Sequence, residues 1–590
     1  MDQASQVREK IDIASFISEY IPLKKAGRNF KANCPFHNEK TPSFVVSPER
    51  QIWHCFGCQK GGDCFTFLMD YEHLEFIEAL RILAKRTGVE LKETFDNKTY
   101  SIKEKIFNLN KVSAKFYNYI LVKHPAGKIA LNYLTKERLM SLPLIETYQL
   151  GFSPTGGVAL SNYLLSSKKG FKKQDLYEAG LTFERVGRVF DFFRNRIMFP
   201  LTDHRDNIVG FSGRILSDKQ DGPKYINTKE TLVYHKGDLF FGLSAAKEEI
   251  KKQEQAILVE GEFDVISCFK EGIKNVVAVK GTALTENQVA LLSRFTKKVS
   301  LCLDQDNAGF EAIKRSLSVL EKKGLMTTVI IPNGKDPDEA IKKDPYAFKK
   351  SIKAEIPVYD FLITKALTEE DKKNALGKKK ITDNLLPFFA EISNEVVKEH
   401  YLRKLSQEID TSYESLIRET EKIQTGREKD VVVYPTKDKK TRREVLEEYF
   451  LAIVIQSDNP KAVLSKGLQV LGDYVFESTS YKKIIDQLED FFKRQDGFDG
   501  KKFAQDLPKE LLKSFDTCFL LPLPKFETND KYYEEARKSA SELLTFYVKD
   551  KIKELSEKIK IKEKENSPEA ENLKKEIINL MSLLPKALKA

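Results

Sequence analysis

The chain has 590 residues, 41% of them hydrophobic and 31% charged, with a formal net charge of +11. At roughly 100–200 residues per domain this is several folded units with cores of their own, which excludes a chain disordered throughout, and the basic excess points to a polyanionic partner. The densest apolar run, FLAIVIQ from Phe450, is far too short to span a bilayer, and the opening MDQASQVREKIDIASFISEY has no apolar signal region, so a cytoplasmic protein with no membrane partner is expected.

In chain order, the first hundred residues open on an amphipathic helix and continue through a short strand-rich segment to Phe65–Arg86, whose apolar residues recur at helical spacing. The stretch from about Ser101 to Lys136 is again helical. From Arg185, RVFDFFRNRIMFPLTDHRDNIVGFSGRIL has short β-prone runs broken by polar turns, as in a small sheet. Between Ala256 and Ile331 strand and helix patterns alternate: AILVEG, EFDVISCFKEG, NVVAV, TENQVALLSRF, VSLCLD, NAGFEAIKRSLSVLEKKG and TTVIIP predict a parallel sheet with helical crossovers. Beyond Asp344 the pattern is helical, interrupted by the charge-dense Gln424–Arg443. The remainder, rich in helix formers with i,i+4 charge pairs over Lys531–Lys564, predicts a separate all-helical domain.

Seven cysteines are too few for a disulfide scaffold, and four of them (Cys34, Cys55, Cys58 and Cys64) cluster in one segment. Cys34-Pro-Phe-His37 and Cys55-Phe-Gly-Cys58 form two tight ligand pairs that together supply the four tetrahedral ligands of Zn²⁺. Such a site has no open position and is structural. His54 abuts Cys55, and Cys64 opens the following helix without a close partner, so neither is expected to ligate. Lys31, Lys40, Arg50 and Lys60 stand near Phe30, Phe36, Trp53 and Phe56, a mixture that suits single-stranded nucleic acid. The plainer alternative is that the rings are the core of a small zinc-stapled domain.

Acids stand at the ends of successive predicted strands: Glu260, then Asp304 and Asp306, then Asp336 and Asp338, with Asp264 at the start of the helix after Glu260. In a parallel sheet these positions converge on one crevice, where crowded carboxylates call for a cation, naturally Mg²⁺. Singly, each could be a helix cap or a turn residue. Upstream stand Arg194, Arg196, Arg214, Lys224 and Lys236, the cations that triphosphates and a template backbone require. No G-x4-G-K-[ST] phosphate loop occurs, so a nucleotide-hydrolysing motor of the P-loop kind is not expected.

These motifs together resemble the bacterial replicative DNA primases of the DnaG type, from about Val7 to Arg418 and more weakly beyond. CPFHNEKTPSFVVSPERQIWHCFGC is similar to the family's zinc-binding domain. RNRIMFPLTDHRDNIVGFSGR, PKYINTKET and HKGDLFFG are similar to its RNA polymerase core, and EGEFDV, LDQDNAG and GKDPDEA to its Toprim metal site. The resemblance implies a multidomain α+β and α/β protein. A zinc-ribbon domain would span 1–100 and a mixed α/β catalytic core 101–423, with a Toprim module at about 254–340 and a helical tail over 341–423. A linker at 424–443 and an all-α helicase-binding domain at 444–590 would follow.

It further implies a nucleotidyltransferase that makes short RNA primers de novo on single-stranded DNA for chromosome replication, with one structural Zn²⁺ and active-site Mg²⁺ or Mn²⁺. Glu260, Asp264, Asp304, Asp306, Asp336 and Asp338 match the family's acidic set. Arg194, Arg196, Lys224 and Lys236 match its nucleotide- or template-holding positions. The implied partners are a single-stranded DNA template, ribonucleoside triphosphates, the replicative helicase and single-stranded DNA-binding protein, with the free chain a monomer. Two departures stand out: Gln305 lies where Gly is usual between the two aspartates, and YLTKERLM carries an extra residue with Leu139 in place of Gly. Arg138 is left out of the expected site on that account. A Toprim nuclease or topoisomerase is the alternative chemistry, although no strand-cleaving tyrosine stands out among the 22. A non-enzymatic adaptor between helicase and DNA is the third reading.

Overall fold

Between Lys24 and Gly62 the chain runs as five short antiparallel strands in sequential order: β1 (Lys24–Ala26), β2 (Asn29–Ala32), β3 (Phe44–Ser47), β4 (Ile52–Cys55) and β5 (Gly61–Gly62). The structure is a computed structural model that describes residues 3–589 except 38, 40, 73, 92–97, 167–169, 217–221, 281–283, 429–439, 496, 525, 527 and 565–568. Its two compact units are Met1–Glu93 with Val433–Ala590, and Thr94–Val432.

In the first unit every residue of β3 is buried, Phe44 stacks on Trp53 with centroids 5.0 Å apart, and Phe67 meets both rings edge-on. Burying three large rings supplies roughly 1.5–3 kcal/mol each to this core. The single helix expected over Phe65–Arg86 is two, Cys64–Glu72 and Phe76–Thr87. Helical spacing does not register the join, where the backbone N–H of Glu75 donates to Glu78 Oε2 at 3.0 Å and starts a new helix. The carboxyl-terminal part of this unit contains only helices among its described residues. The apolar run Phe450–Ile455 lies fully buried in the helix Arg442–Gln456, which the others surround. No helix among the described residues is long and apolar enough to cross a membrane. The expected linker narrows from both sides: the helix Tyr413–Glu428 runs into it, and Thr441 caps the next helix at Arg442.

The second unit carries a four-stranded antiparallel sheet of order β11-β10-β9-β6, made from β6 (Gly151–Ser153), β9 (Arg196–Thr202), β10 (Ile208–Ile215) and β11 (Tyr225–Asn227). A hairpin of β7 (Thr182–Arg185) and β8 (Arg188–Asp191) stands apart from it. The strand–helix alternation forms a six-stranded sheet whose order is β12 (Phe240–Phe241), β14 (Val276–Val279), β13 (Ala256–Val259), β15 (Lys298–Leu301), β16 (Met326–Val329) and β17 (Ile356–Pro357). Its parallel centre is β13, β14, β15 and β16; β12 and β17 close the edges antiparallel. Alternation sends Leu258, Val277, Val299 and Leu301 into one apolar layer with the helices of the tail, and Ile257, Val259, Val276 and Ala278 into the other with Phe199 and Phe263. Coverage on both faces is why these strands read as continuous apolar runs. It also leaves the carboxyl ends of β13, β15 and β16 as the exit for polar residues.

Candidate zinc centre and candidate active site

The turns after β2 and β4 bring Cys34, His37, Cys55 and Cys58 together. Their ligand atoms all lie within 4.8 Å of one another, with Cys34 Sγ 3.8 Å from Cys58 Sγ and Cys55 Sγ 3.7 Å from His37 Nδ1. A tetrahedral zinc with metal–sulfur bonds of about 2.3 Å sets neighbouring ligands about 3.5–3.8 Å apart, so the set fits one closed structural zinc. The backbone N–H groups of Phe36 and Cys58 each donate to a ligand sulfur at 3.4 Å. Hydrogen bonds draw Cys55 below the ordinary thiol range, first from Cys34 and further from Ser43 and backbone N–H groups, which favours the thiolate that zinc needs.

Sequence reasoning missed Glu39. Its Oε2 lies 3.1 Å from His37 Nε2 and accepts from Ser43 Oγ, while Oε1 accepts from the backbone N–H of Cys34 at 2.6 Å. The carboxylate thus fixes the imidazole with Nδ1 toward the sulfurs. An acid two residues after a histidine ligand was the available signal. His54 and Cys64 stand outside the cluster. His54 packs on Phe56 with both ring nitrogens buried and unpartnered, and burial pushes it down to about 4; Cys64 is buried at the start of its helix. Trp53 and Phe36 pack together at 5.2 Å within the module's core, so for them the plainer alternative holds. Lys60 pairs with Asp70 at 3.1 Å, and Lys40 lies outside the described residues.

In the second unit the acids gather at the carboxyl ends of the parallel strands. The backbone N–H of Asp304 donates to Glu260 Oε1 at 3.1 Å. Asp306 accepts from Gly309 N–H at 2.9 Å and Asp336 from Glu339 N–H at 2.7 Å, so both cap the helices that follow them. Capping and clustering coincide: a cap residue after a parallel strand sits at the crevice by construction. Gly309 is obligatory, since a Cβ there would lie 2.1 Å from the carbonyl oxygen of Asp304. The Gln305 N–H bonds Lys335 O at 2.9 Å, tying the two acidic loops together. Its side chain turns back to Leu303 O at 3.3 Å, away from the carboxylates, so the departure from Gly is accommodated. Burial, then Glu260, Asp336 and Asp306, push Asp304 up to about 6.

Asp264 and Asp338 sit deeper. Asp264 accepts from the N–H groups of Gly261 at 2.9 Å and Asp338 at 3.2 Å, and burial, with Asp336 next, pushes it well above the usual carboxylate range. Asp338 accepts from Ser267 Oγ at 2.6 Å, Lys342 Nζ at 2.7 Å and the Arg138 guanidinium; these partners outweigh its burial and hold it below the ordinary range. The open acids are therefore Glu260, Asp304, Asp306 and Asp336, while Asp264 and Asp338 fasten loops. Among the described residues only the Cys/His set is tight enough for all ligand atoms to lie within 4.8 Å, so the acidic set is the wider of the two.

Arg138, left out of the expected site, belongs beside it. Its guanidinium lies 4.2 Å over Phe263 and binds Asp338, and its Nε donates to Tyr133 Oη at 2.7 Å. The extra residue of YLTKERLM is absorbed as a π-helical turn over Tyr133–Glu137, closed by Arg138 N–H to Tyr133 O at 3.0 Å. Leu139 then takes φ +52°, the left-handed conformation that glycine adopts without strain.

Arg214 shares this stack, its guanidinium 5.3 Å over both Tyr133 and Phe263. Arg196 turns inward: it is 6% exposed and its guanidinium donates to the carbonyl oxygens of Gly213 (3.0 Å), Pro223 (3.0 Å) and Lys224 (3.3 Å). Its donors are spent on backbone, so it shapes the loop that carries Lys224 and is not free to hold a nucleotide directly. Arg194, Lys224 and Lys236 are exposed, with Lys236 on a short turn whose backbone is held by Glu230.

Four segments match known families: residues 1–99 the CHC2 zinc finger, 116–247 the N-terminal domain of the DNA primase catalytic core, 257–341 the Toprim-like family, and 359–412 the DnaB-helicase binding domain of primase. The DNA primase of Listeria monocytogenes is 33% identical over 605 aligned residues, covering 96% of this chain and 95% of its own length. That of Geobacillus stearothermophilus is 37% identical over 433 residues, covering 72% and 71%. Among solved structures, the zinc-binding and RNA polymerase domains of the Aquifex aeolicus primase are 34% identical, covering 71% of this chain and 99% of that one with a TM-score of 0.48.

Proposed function

This chain belongs to the bacterial DNA primases, and on that footing we propose that it is a nucleotidyltransferase joining ribonucleoside triphosphates into short primers at the crevice of Glu260, Asp304, Asp306 and Asp336. The observation that carries the site is the gathering of these carboxylates at three strand ends, where burial first, and then Glu260, Asp336 and Asp306, push Asp304 up to about 6. Such a donor set fits Mg²⁺ or Mn²⁺, which when bound neutralises charge on the entering and leaving oxygens of a phosphoryl transfer.

The remaining work falls to the chain's own residues. Asp264 and Asp338 hold the acidic loops in register, and Arg138 fixes Asp338 from the other side. Exposed Arg194, Lys224 and Lys236 pair with phosphates of template or triphosphate, Arg214 adds charge beside the acids, and Arg196 holds the loop behind Lys224. A 3′-hydroxyl then attacks an α-phosphate, a new P–O bond forms, and pyrophosphate leaves. The zinc module contacts single-stranded template through its cations, Arg28 and Arg50 among them. A replicative helicase is the protein partner. The family segment named for it is residues 359–412, whereas the resemblance assigned docking to 444–590. Truncation after about Arg443 discriminates: lost helicase stimulation with basal synthesis intact assigns docking to the C-terminal helices, and retained stimulation assigns it to the upstream segment. Single-stranded DNA-binding protein is a further proposed partner.

The test is de novo synthesis on single-stranded DNA with four ribonucleoside triphosphates and Mg²⁺, without primer. Short RNA is expected from the wild type and none from folded Asp304→Ala. Full activity in that variant would remove the acidic crevice as the reaction centre. Cleavage of DNA without nucleotides would revive the nuclease chemistry.

A further inference from the structure

Within the first unit, the helix Lys509–Leu520 lies against β3 and β4 of the zinc module. Arg50, in the turn between those strands, is drawn out of solvent by this contact, its side chain 9% exposed. Its Nη2 lies 2.6 Å from Asp516 Oδ1, and its guanidinium rests on the rings of Phe515 (5.5 Å) and Phe519 (5.9 Å). Arg28, from the turn between β1 and β2, stacks on the same Phe519 at 4.9 Å. Two arginines of the zinc module thus converge on one carboxylate and two aromatic faces presented by successive turns of one helix.

That is the chemistry by which a protein holds single-stranded nucleic acid: a guanidinium on an anionic oxygen, with π-faces stacked beside it. An arginine whose donors and face are occupied by Asp516, Phe515 and Phe519 cannot simultaneously meet a phosphate and a base. We propose that the helix Lys509–Leu520 is a built-in competitor of the template: it occupies Arg28 and Arg50 in the closed arrangement, and single-stranded DNA displaces it. The inference rests on the reading that the zinc module contacts the template.

Two features suit a contact made to be exchanged. Arg50 Nε is buried without a partner, so the docked guanidinium is incompletely satisfied. Burial also pushes Asp516 above the usual carboxylate range despite Arg50, so desolvation consumes most of what the ion pair supplies.

The test uses the full-length, zinc-loaded chain and a fluorescent oligo-dT, with affinity read by anisotropy. Asp516→Lys sets a cation against Arg50 and should tighten binding; if nine in ten molecules are closed the gain approaches roughly tenfold, the reciprocal of the open fraction. Arg50→Glu should weaken binding, and Arg50→Glu with Asp516→Lys should restore the contact but not the affinity. Hydrogen exchange on the wild type needs no variant: amides of Lys509–Leu520 should lose protection when oligo-dT saturates the protein. An Asp516→Lys affinity equal to wild type beside a weakened Arg50→Glu would overturn the competition while leaving the template contact standing. Unchanged affinity in both would remove the template contact and the competition with it, and unchanged protection of the helix at saturation would refute displacement directly.

Discussion

Asp304→Asn should stabilise the metal-free protein while abolishing its chemistry. The substitution keeps the side-chain shape and the backbone N–H that donates to Glu260, and removes one charge from the crevice. The rise of Asp304 from 3.8 to about 6 converts, at about 1.4 kcal/mol per factor of ten, to a ceiling of about 3 kcal/mol. Asp304 is only half-buried, and solvent screening reduces this to about 1 kcal/mol. The sign follows from proton counting. Between pH 3.8 and about 6 the folded chain binds more protons than the unfolded one, so stability falls as pH rises through that window. In chelator, the opening free energy of β15 amides, measured by hydrogen exchange and corrected for intrinsic rates, should fall in the wild type by about 1 kcal/mol relative to the Asn variant between pH 4 and pH 7, a difference from which the other titrating groups cancel. The Asn variant should lack this loss and exceed wild type by about 1 kcal/mol at pH 7. Added Mg²⁺ should raise the wild type alone, by its mass action on the folded state. A wild type that shows no such loss relative to the Asn variant, or an Asn variant no more stable at pH 7, would refute the reasoning that burial and the neighbouring carboxylates disfavour the Asp304 charge.

Glu39→Gln should release zinc roughly 10–100-fold more readily in a chelator competition, because the imidazole loses the carboxylate that orients it. The buried pair of Lys280 and Glu262, which also engages Ser212 Oγ, ties β10 to the end of β14. Lys280→Met alone should cost about 3–5 kcal/mol by chemical denaturation, and adding Glu262→Met should recover most of it, since the pair's worth is largely the cost of leaving one charge alone. Leu139→Gly should stabilise the second unit by about 1 kcal/mol in the same assay by relieving the left-handed backbone, with Arg138 kept on Asp338 and primer synthesis unchanged.

Local spacing determined much of this protein. Two close Cys/His pairs admit one tetrahedral ion whatever surrounds them, and apolar runs of four with helical patterns between them force a doubly covered parallel sheet. That sheet, in turn, sends Glu260, Asp304 and Asp336 to one rim. What needed the tertiary structure was the state of each side chain within the assembled site. Asp338 and Asp306 read alike as acids after a strand, yet one is consumed by Arg138, Ser267 and Lys342 while the other stays open. Arg194 and Arg196 lie two residues apart, yet only Arg196 points into backbone carbonyls. Arg138 looked displaced by an insertion that a π-helical turn absorbs, and Arg50 read as one of the cations suited to nucleic acid, although Asp516 closes on it from 466 residues away. Spacing is written in the chain because it acts over a few bonds; whether a charge is free depends on which distant groups folding delivers to within hydrogen-bond reach.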